Sequence, residues 1–396
     1  MRKSPSQPVA VTEWLGHIEA LAAGIGPRGP TREGERRGAE HAKAAFQAAG
    51  LRPVWETFRS ARSIFHPHLA GSLLMLAAFA LFPVAGKISA AASAALSVLV
   101  IVCELLELGM RGNPLRMLIP HGQSQNVHAV IPPRGAHERD LVLVGHVDTQ
   151  RTPIFFRTPR WVKMYDRFTT IAFAGFLWQA VDFILAAIFS WTWAWPAALP
   201  GAVSAALLAA MCIEAERSPF TAGANDNASA VGIVLTLARH LARMRLDRTR
   251  VIAVVTGCEE VQHYGMADFY RRHRAELKDP RAVVFEMLGC AGPSWLEREG
   301  IIVPFRSDPA LTRMLERLAA ENPSWGAYPS NISGGNTEMA DALRACVPAV
   351  TIGGVTRDGV LPYWHQRQDT VDKMNRDVMT RTWEMTMALI REIDRA

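Results

Sequence analysis

The chain has 396 residues, 49% of them hydrophobic, and a net charge of +6. This length is sufficient for one large domain or two modest ones. The basic residues cluster beside apolar stretches and no nucleic-acid-binding motif is present, so the charge favours an anionic membrane surface over nucleic acid. The mean hydropathy of +0.07 is high for a soluble enzyme. Most of the residues that raise the mean hydropathy lie in two apolar blocks.

The first apolar block covers residues 69–103, and its only charge is Lys87. It divides near Gly86 into two arms. Each arm approaches the roughly 20 residues that a helix needs to cross a hydrocarbon core of about 30 Å. The block therefore predicts a transmembrane helical hairpin, which we place at residues 67–110.

The second apolar block covers residues 171–213 and divides at SWTWAWPAALPG. Three tryptophans at this divide suit a membrane–water interface. We expect its internal acid, Asp182, to face another helix or to mark a function, because a carboxylate facing lipid is costly. The block predicts a second transmembrane hairpin at residues 168–214. Because the arms are short for spanning, the alternative is that both hairpins are buried in a soluble cap domain.

Arginine and lysine residues flank the apolar blocks on the side of the polar segments, whereas the far side holds little beyond Lys87. The positive-inside rule then places the polar segments in the cytoplasm, with tight turns across the membrane. The N-terminal segment MRKSPSQPVAVTEWLGHIEALAA lacks an uninterrupted apolar core, so no cleavable signal peptide is predicted. Five scattered cysteines fit a reducing compartment.

The polar remainder alternates between short β-branched runs and amphipathic helical patterns. The runs are NVHAVI, DLVLVGH, RVIAVVTG, AVVFEML and VPAVTIGG. Continuous apolar strands separated by helices predict an α/β fold with a mostly parallel twisted sheet and helices on both faces. Two α-helical membrane hairpins would interrupt this fold. Its parts would be residues 1–66, 111–167 and 215–396.

Histidine and acidic residues follow the ends of these runs, where parallel sheets hold their sites. They are His146, Asp148, Glu259, Glu260, Glu286 and His365, and Asp226 lies just before the helical pattern ASAVGIVL. Imidazole and carboxylate groups are the ligands that zinc and similar divalent cations take.

Each of these residues also has a simpler structural explanation. Asp226 could cap a helix, the Glu259–Glu260 pair could begin a solvated helix, and His365 could be a packed core histidine. Glu286 is harder to explain in this way, because a carboxylate inside VVFEML is costly to bury without a cation or a hydrogen-bond donor.

The motifs GHVDT, GANDNASAV, GCEE, FEMLG and WHQRQDT follow one another as in the M28 family of zinc-dependent, cocatalytic aminopeptidases, which the chain resembles over most of its polar part. The resemblance implies two divalent metal ions, with zinc the expected metal, bridged by Asp226. His146 and Glu286 would complete the site of one metal, and Glu260 and His365 that of the other.

The resemblance also implies the chemistry. Two cations lower the pKa of a shared water and polarise the scissile carbonyl. Glu259 matches the general base, and Asp148 matches the acid that orients the imidazole of His146. The expected reaction is hydrolysis of the N-terminal residue from a peptide by a membrane-anchored peptidase, and the expected partners are a peptide substrate and the lipid bilayer.

Two departures from the family bear on these expectations. Glu286 stands where the family more often has aspartate, and residues 336–338 differ from its usual serine–aspartate pair. A second enzymatic hypothesis is a glutaminyl-cyclase-like acyl transfer, which uses the same fold with one zinc ion. A third is a catalytically inactive membrane receptor or assembly protein. The intact ligand set favours an active enzyme.

Overall fold

The computed structural model describes residues 7–189, 191 and 193–396. Residues 1–6, which begin the N-terminal segment in which no signal peptide is predicted, lie outside the described residues. So do residues 190 and 192 of the tryptophan-rich divide. Contacts group the chain into two units. The first contains residues 1–60, 122–151 and 220–396, and the second contains residues 61–121 and 152–219.

The described residues form nine strands and twelve α-helices. The strands are β1 (Val54–Ala61), β2 (His121–Ile131), β3 (Arg139–His146), β4 (Thr249–Thr256), β5 (Arg281–Glu286), β6 (Ser294–Glu299), β7 (Phe305–Arg306), β8 (Tyr328–Asn331) and β9 (Ala349–Gly353). The helices are α1 (Gln7–Ile18), α2 (Glu33–Ala48), α3 (Phe65–Leu81), α4 (Lys87–Leu108), α5 (Pro159–Phe189), α6 (Ala194–Ala197), α7 (Leu199–Arg217), α8 (Ser229–Met244), α9 (Tyr264–His273), α10 (Pro309–Glu321), α11 (Met339–Arg344) and α12 (Arg376–Arg395).

The strands form one sheet in the order β1-β2-β4-β3-β5-β9-β6-β7, and β8 pairs with β6. Its centre is parallel, because β3 pairs in parallel with β4 and β5, and β5 with β9. In this register His146 lies opposite Thr256, and Glu286 lies opposite Gly353. The carboxyl ends of four strands therefore meet at one edge of the sheet. The predicted α/β fold is confirmed, and the centre of its sheet is parallel as predicted. Toward the edges, β2 pairs with β4, and β6 with β7 and β9, in antiparallel orientation.

Both faces of the sheet are buried. Along β3, Leu141 and Leu143 belong to one apolar cluster, whereas Val142 and Val144 belong to another on the opposite face. This alternation follows from the two-residue period of a strand. Because residues on both faces are buried, the central strands are continuous apolar runs and do not alternate between polar and apolar residues.

Helix α8 packs against β3, β4 and β5 and brings the chain back to the carboxyl edge of the sheet. Gly145 permits this approach, because a Cβ atom there would lie 2.9 Å from the backbone carbon of Ala230. Gly232 on the same helix leaves room for Trp14 in a similar way. The close packing fixes the start of α8, and with it the loop that carries Asp226.

Helices α3, α4, α5 and α7 pack against one another in the second unit. Three of them, α4, α5 and α7, are long and apolar enough to cross a membrane, and α3 is a shorter apolar helix of 17 residues. In the three long helices only 33–44% of the most apolar window is buried. Asp182 on α5 is 1% exposed, so it faces the interior of this unit.

The second unit contains more residues than the two predicted hairpins. It includes residues 111–121 and 152–167, which we assigned to the polar domain from the sequence. Helix α5 begins at Pro159, before the apolar block itself, because the basic segment that precedes the block continues the same helix.

Candidate metal centre

All seven predicted site residues are buried at the carboxyl edge of the sheet. His146 ends β3, Glu286 ends β5, and the Glu259–Glu260 pair begins three residues after β4 ends. The predicted ligands and the predicted general base therefore share one cluster, although the chain separates His146 from His365 by more than 200 residues.

Asp226 lies at the centre of this cluster. Its Oδ1 atom is 3.7 Å from Nε2 of His146, and its Oδ2 atom is 3.5 Å from Nε2 of His365. The carboxylate therefore presents one oxygen to each histidine. The loop that aims it, residues 224–228, follows Gly223, which has a left-handed conformation with φ of 62°.

Two groups of three ligands share Asp226. The first group contains His146, Asp226 and Glu286, and the second contains Asp226, Glu260 and His365. In each group the ligand atoms lie within 4.8 Å of one another. His146 Nε2 is 3.7 Å from Glu286 Oε2, and His365 Nε2 is 3.1 Å from Glu260 Oε2. The ligand atoms of each group are therefore close enough to share one divalent cation.

The polar atoms of the cluster are consistent with a cation site. Asp226 Oδ2 and Glu260 Oε1 are buried without a hydrogen-bond donor among the described residues. Burial, together with the neighbouring carboxylates, raises the pKa of both side chains well above the usual range. Ionised carboxylates in such an environment require a compensating positive charge. Two divalent cations would supply it.

Asp148 organises the turn that carries the glutamate pair. Its Oδ1 and Oδ2 atoms accept hydrogen bonds from the backbone N–H groups of Glu259 at 3.1 Å and Glu260 at 3.0 Å. Its Oδ1 atom also lies 3.5 Å from Nδ1 of His146. Asp148 thus contacts both the histidine that we assigned to it and the turn that holds the next ligand.

Glu259 projects between two histidines. Its Oε2 atom is 3.7 Å from Nε2 of His146, and its Oε1 atom is 3.2 Å from Nε2 of His263. Burial raises the pKa of this carboxyl group, but His146 and His263 outweigh it, and the pKa falls to about 2. The two histidines thus favour the ionised form of Glu259, the form in which a carboxyl group accepts a proton.

His263 is a further residue of the cluster that was not predicted from the sequence. Its Nδ1 atom lies 2.6 Å from Oδ2 of Asp341 on α11, and its Nε2 atom faces Glu259. The sequence feature that could have indicated His263 is its spacing from Glu259, which it follows by four residues in GCEEVQHYG. That spacing alone does not identify the partner, which comes from a helix 78 residues further along the chain.

Three further residues support the ligands and were not predicted. Asp369, within the quoted motif WHQRQDT, accepts hydrogen bonds from the backbone N–H groups of Asn225 at 2.6 Å and Asp226 at 2.9 Å. Asn227 donates to Glu286 Oε2 at 3.0 Å. Gln150 donates to Glu260 Oε2 at 3.1 Å. Each supporting residue lies within four positions of a predicted ligand.

Thr337 and Glu338, in the segment where the chain departs from the family pattern, are also buried beside the site. Thr256, the last residue of β4, donates to Glu338 Oε1 at 2.5 Å, and Thr337 donates to Glu299 Oε2 at 2.8 Å. Burial raises the pKa of both Glu338 and Glu299 to about 8. The family's usual serine–aspartate pair is replaced here by a buried threonine and a buried carboxyl group.

Comparison with known proteins finds the same family that the motifs resemble. The model of peptidase family M28 matches residues 204–390, which include five of the seven predicted site residues. Residues 204–390 are therefore similar to a peptidase family M28 domain. Aminopeptidase YwaD of Bacillus subtilis (strain 168) is 25% identical over 178 residues, which are 44% of this chain and 38% of that protein. The resemblance drawn from the motifs is confirmed, and these matches support a peptidase.

Five predicted site residues themselves lie inside the matched segment, namely Asp226, Glu259, Glu260, Glu286 and His365. His146 and Asp148 precede it in the chain and join the same cluster through β3. The second apolar block lies between these two parts of the site, and only its last helix, α7, overlaps the match.

Solved structures agree in fold. The glutaminyl cyclase of Tannerella forsythia aligns with a TM-score of 0.57 at 13% identity, covering 96% of this chain and 98% of that one. The aminopeptidase from Aneurinibacillus sp. strain AM-1 aligns with the same TM-score at 12% identity, covering 96% and 93%. At these identities the alignments establish the α/β fold and leave the choice of reaction to the site.

Proposed function

We propose that the protein is a membrane-anchored aminopeptidase that uses two zinc ions to hydrolyse the N-terminal residue of peptides. The observation that carries this proposal is Asp226, whose two carboxylate oxygens face the histidines of two separate ligand groups. A carboxylate shared in this way suits a pair of cations about 3.5–4 Å apart.

The ligands of the first zinc ion would be His146, Asp226 and Glu286, and those of the second Asp226, Glu260 and His365. Bound zinc would supply an acidified water molecule and positive charge beside the scissile carbonyl. Glu259 belongs to neither group, so its carboxylate is available to take the proton of the attacking water and to pass it to the leaving amine.

His263 and Asp341 would hold Glu259 in position for this transfer. The contacts run from Asp341 to Nδ1 of His263 at 2.6 Å, and from Nε2 of His263 to Glu259 at 3.2 Å. A carboxylate on one side fixes which way the imidazole ring turns. We regard His263 as a positioning residue, since it acts on the reaction through Glu259.

The apolar helices support membrane anchoring. Large side chains on α5 are open to the surroundings, with Ile188 61% and Phe189 72% exposed, and Trp193 after this helix is 71% exposed. Apolar surface of this kind is costly in water and favourable in lipid. With the basic flanks on the side of the polar segments, we propose that the catalytic domain faces the cytoplasm.

The main alternative is glutaminyl-cyclase-like acyl transfer with one zinc ion. The group formed by His146, Asp226 and Glu286 argues for the dinuclear enzyme, because its ligand atoms, like those of the second group, lie within 4.8 Å of one another. Two complete groups would be unnecessary for a single ion.

The test uses the full chain purified in detergent. Its zinc content is measured, and it is incubated with aminoacyl amides, dipeptides and a peptide that begins with glutamine. We expect release of the free N-terminal amino acid, with loss of activity after chelation and recovery on adding zinc. Cyclisation of N-terminal glutamine without release of other residues would contradict the proposal and support the acyl-transfer enzyme. Absence of both reactions in zinc-loaded protein would support an inactive receptor.

A further inference from the structure

A second cluster of metal-ligating side chains lies on β1, β2 and α9. Glu56 projects from β1, His128 from the neighbouring strand β2, and His273 from the last residue of α9. One nitrogen or oxygen of each lies within 4.8 Å of the others. None of the three belongs to the candidate metal centre.

The side chains point at one another. Glu56 Oε2 is 3.0 Å from His273 Nε2 and 3.7 Å from His128 Nδ1, and the two imidazole rings meet edge to face with centroids 5.0 Å apart. The side chains of Glu56 and His128 are 13% and 7% exposed, and that of His273 is 22% exposed. The cluster is mostly shielded from water but open on the side of His273.

One atom in the cluster is left without a hydrogen bond. His128 Nδ1 is buried and has no hydrogen-bond partner among the described residues, although it faces the Glu56 carboxylate. An ion pair between Glu56 and His273 alone would leave this buried nitrogen without a partner. Burial lowers the pKa of His128 to about 4, so the ring is neutral at pH 7, the form in which histidine binds metals.

We propose that Glu56, His128 and His273 bind a third zinc ion, which joins the edge of the sheet to the end of α9. Two imidazoles and one carboxylate are a ligand set that zinc takes in proteins, with water in the fourth position. The Oε2 atom of Glu276 lies 3.7 Å from the other ring nitrogen of His273, on the side where a carboxylate commonly orients a zinc-bound histidine.

The role of this ion would be structural. Helix α9 begins shortly after the Glu259–Glu260 pair and ends at His273. A metal at its far end would hold the helix against β1 and β2, where Arg272 already donates to the backbone oxygen of Thr57 at 2.9 Å. The inference does not depend on the proposed peptidase reaction.

The test compares zinc content per chain in the full-length protein and in His128→Gln and His273→Gln, each in detergent after dialysis against buffered zinc. We expect each variant to carry one zinc equivalent less than the wild type and to keep its peptidase activity. His137→Gln is the matched control, because His137 also pairs with a carboxylate, that of Asp140 at 2.8 Å. It should keep the wild-type zinc content.

Equal zinc contents in the wild type and both variants would overturn the inference. Because a variant that misfolds could lose zinc for another reason, a second measurement uses the wild-type protein. A zinc-edge anomalous difference map of the wild-type protein should contain a peak between Glu56, His128 and His273. A map with peaks at the candidate metal centre and none here would also overturn it, while leaving the proposed peptidase function intact.

Discussion

Replacing Glu259 by glutamine tests the division of labour between the two neighbouring glutamates. The amide keeps the size of the side chain and one oxygen, which can still accept from His263 at the position now 3.2 Å from its Nε2 atom. It cannot accept the proton of the attacking water. General acid–base catalysis contributes about 10²–10⁴-fold, so kcat should fall by that factor, or about 3–5 kcal/mol in the barrier.

The metal content of Glu259→Gln should not change, because Glu259 belongs to neither ligand group. Glu260→Gln is the matched comparison: the same substitution one residue later removes a charged ligand, so zinc and activity should fall together. The assay is steady-state hydrolysis of an aminoacyl amide alongside zinc determination on the same samples. A Glu259→Gln protein that loses zinc, or one that keeps it and turns over at the wild-type rate, would refute the assignment.

Three other outcomes follow from the structure. Asp226→Ala should lose at least one zinc ion together with activity, because it removes the only carboxylate common to both ligand groups, and metal analysis checks this. Asp369→Ala should lower the free energy of unfolding by about 3–6 kcal/mol, since two hydrogen bonds to a carboxylate are lost from Asn225 and Asp226; a shift of under 1 kcal/mol in denaturant melts would contradict it. Reporter fusions at Lys87 and Trp193 should report the far side of the membrane and a C-terminal fusion the cytoplasm, and release of the protein by carbonate without detergent would contradict anchoring.

The central part of the fold could be predicted because its sequence signal is local. The runs that form β3, β4, β5 and β9 are β-branched and separated by helical patterns, so the parallel centre of the sheet follows from periodicity. The run that forms β2 was also predicted as a strand, but it pairs with β4 in antiparallel orientation. Strands β1, β6, β7 and β8 were not predicted. They lie toward the edges of the sheet, where buried and exposed residues are mixed irregularly and the apolar signal is weak.

The predicted ligands are close together in the structure, because they lie at the ends of parallel strands or, for Asp226, at the start of the helix that packs on them. The residues that hold them could not be assigned in the same way. Asp341 reaches His263 from another helix, and Asp369 reaches Asp226 across 143 positions of sequence. A sequence identifies such pairs only when the fold that joins them is known. The roles of the ligands and of Glu259 stay predictions until metal and kinetics are measured.

The proposed dinuclear site is tested most directly by a zinc-edge anomalous difference map of the wild-type protein, examined at the candidate metal centre. We predict two peaks about 3.5–4 Å apart. One should lie beside His146 and Glu286, the other beside Glu260 and His365, with one oxygen of Asp226 directed at each. A single peak beside Glu260 and His365, or two peaks that Asp226 does not join, would contradict the account.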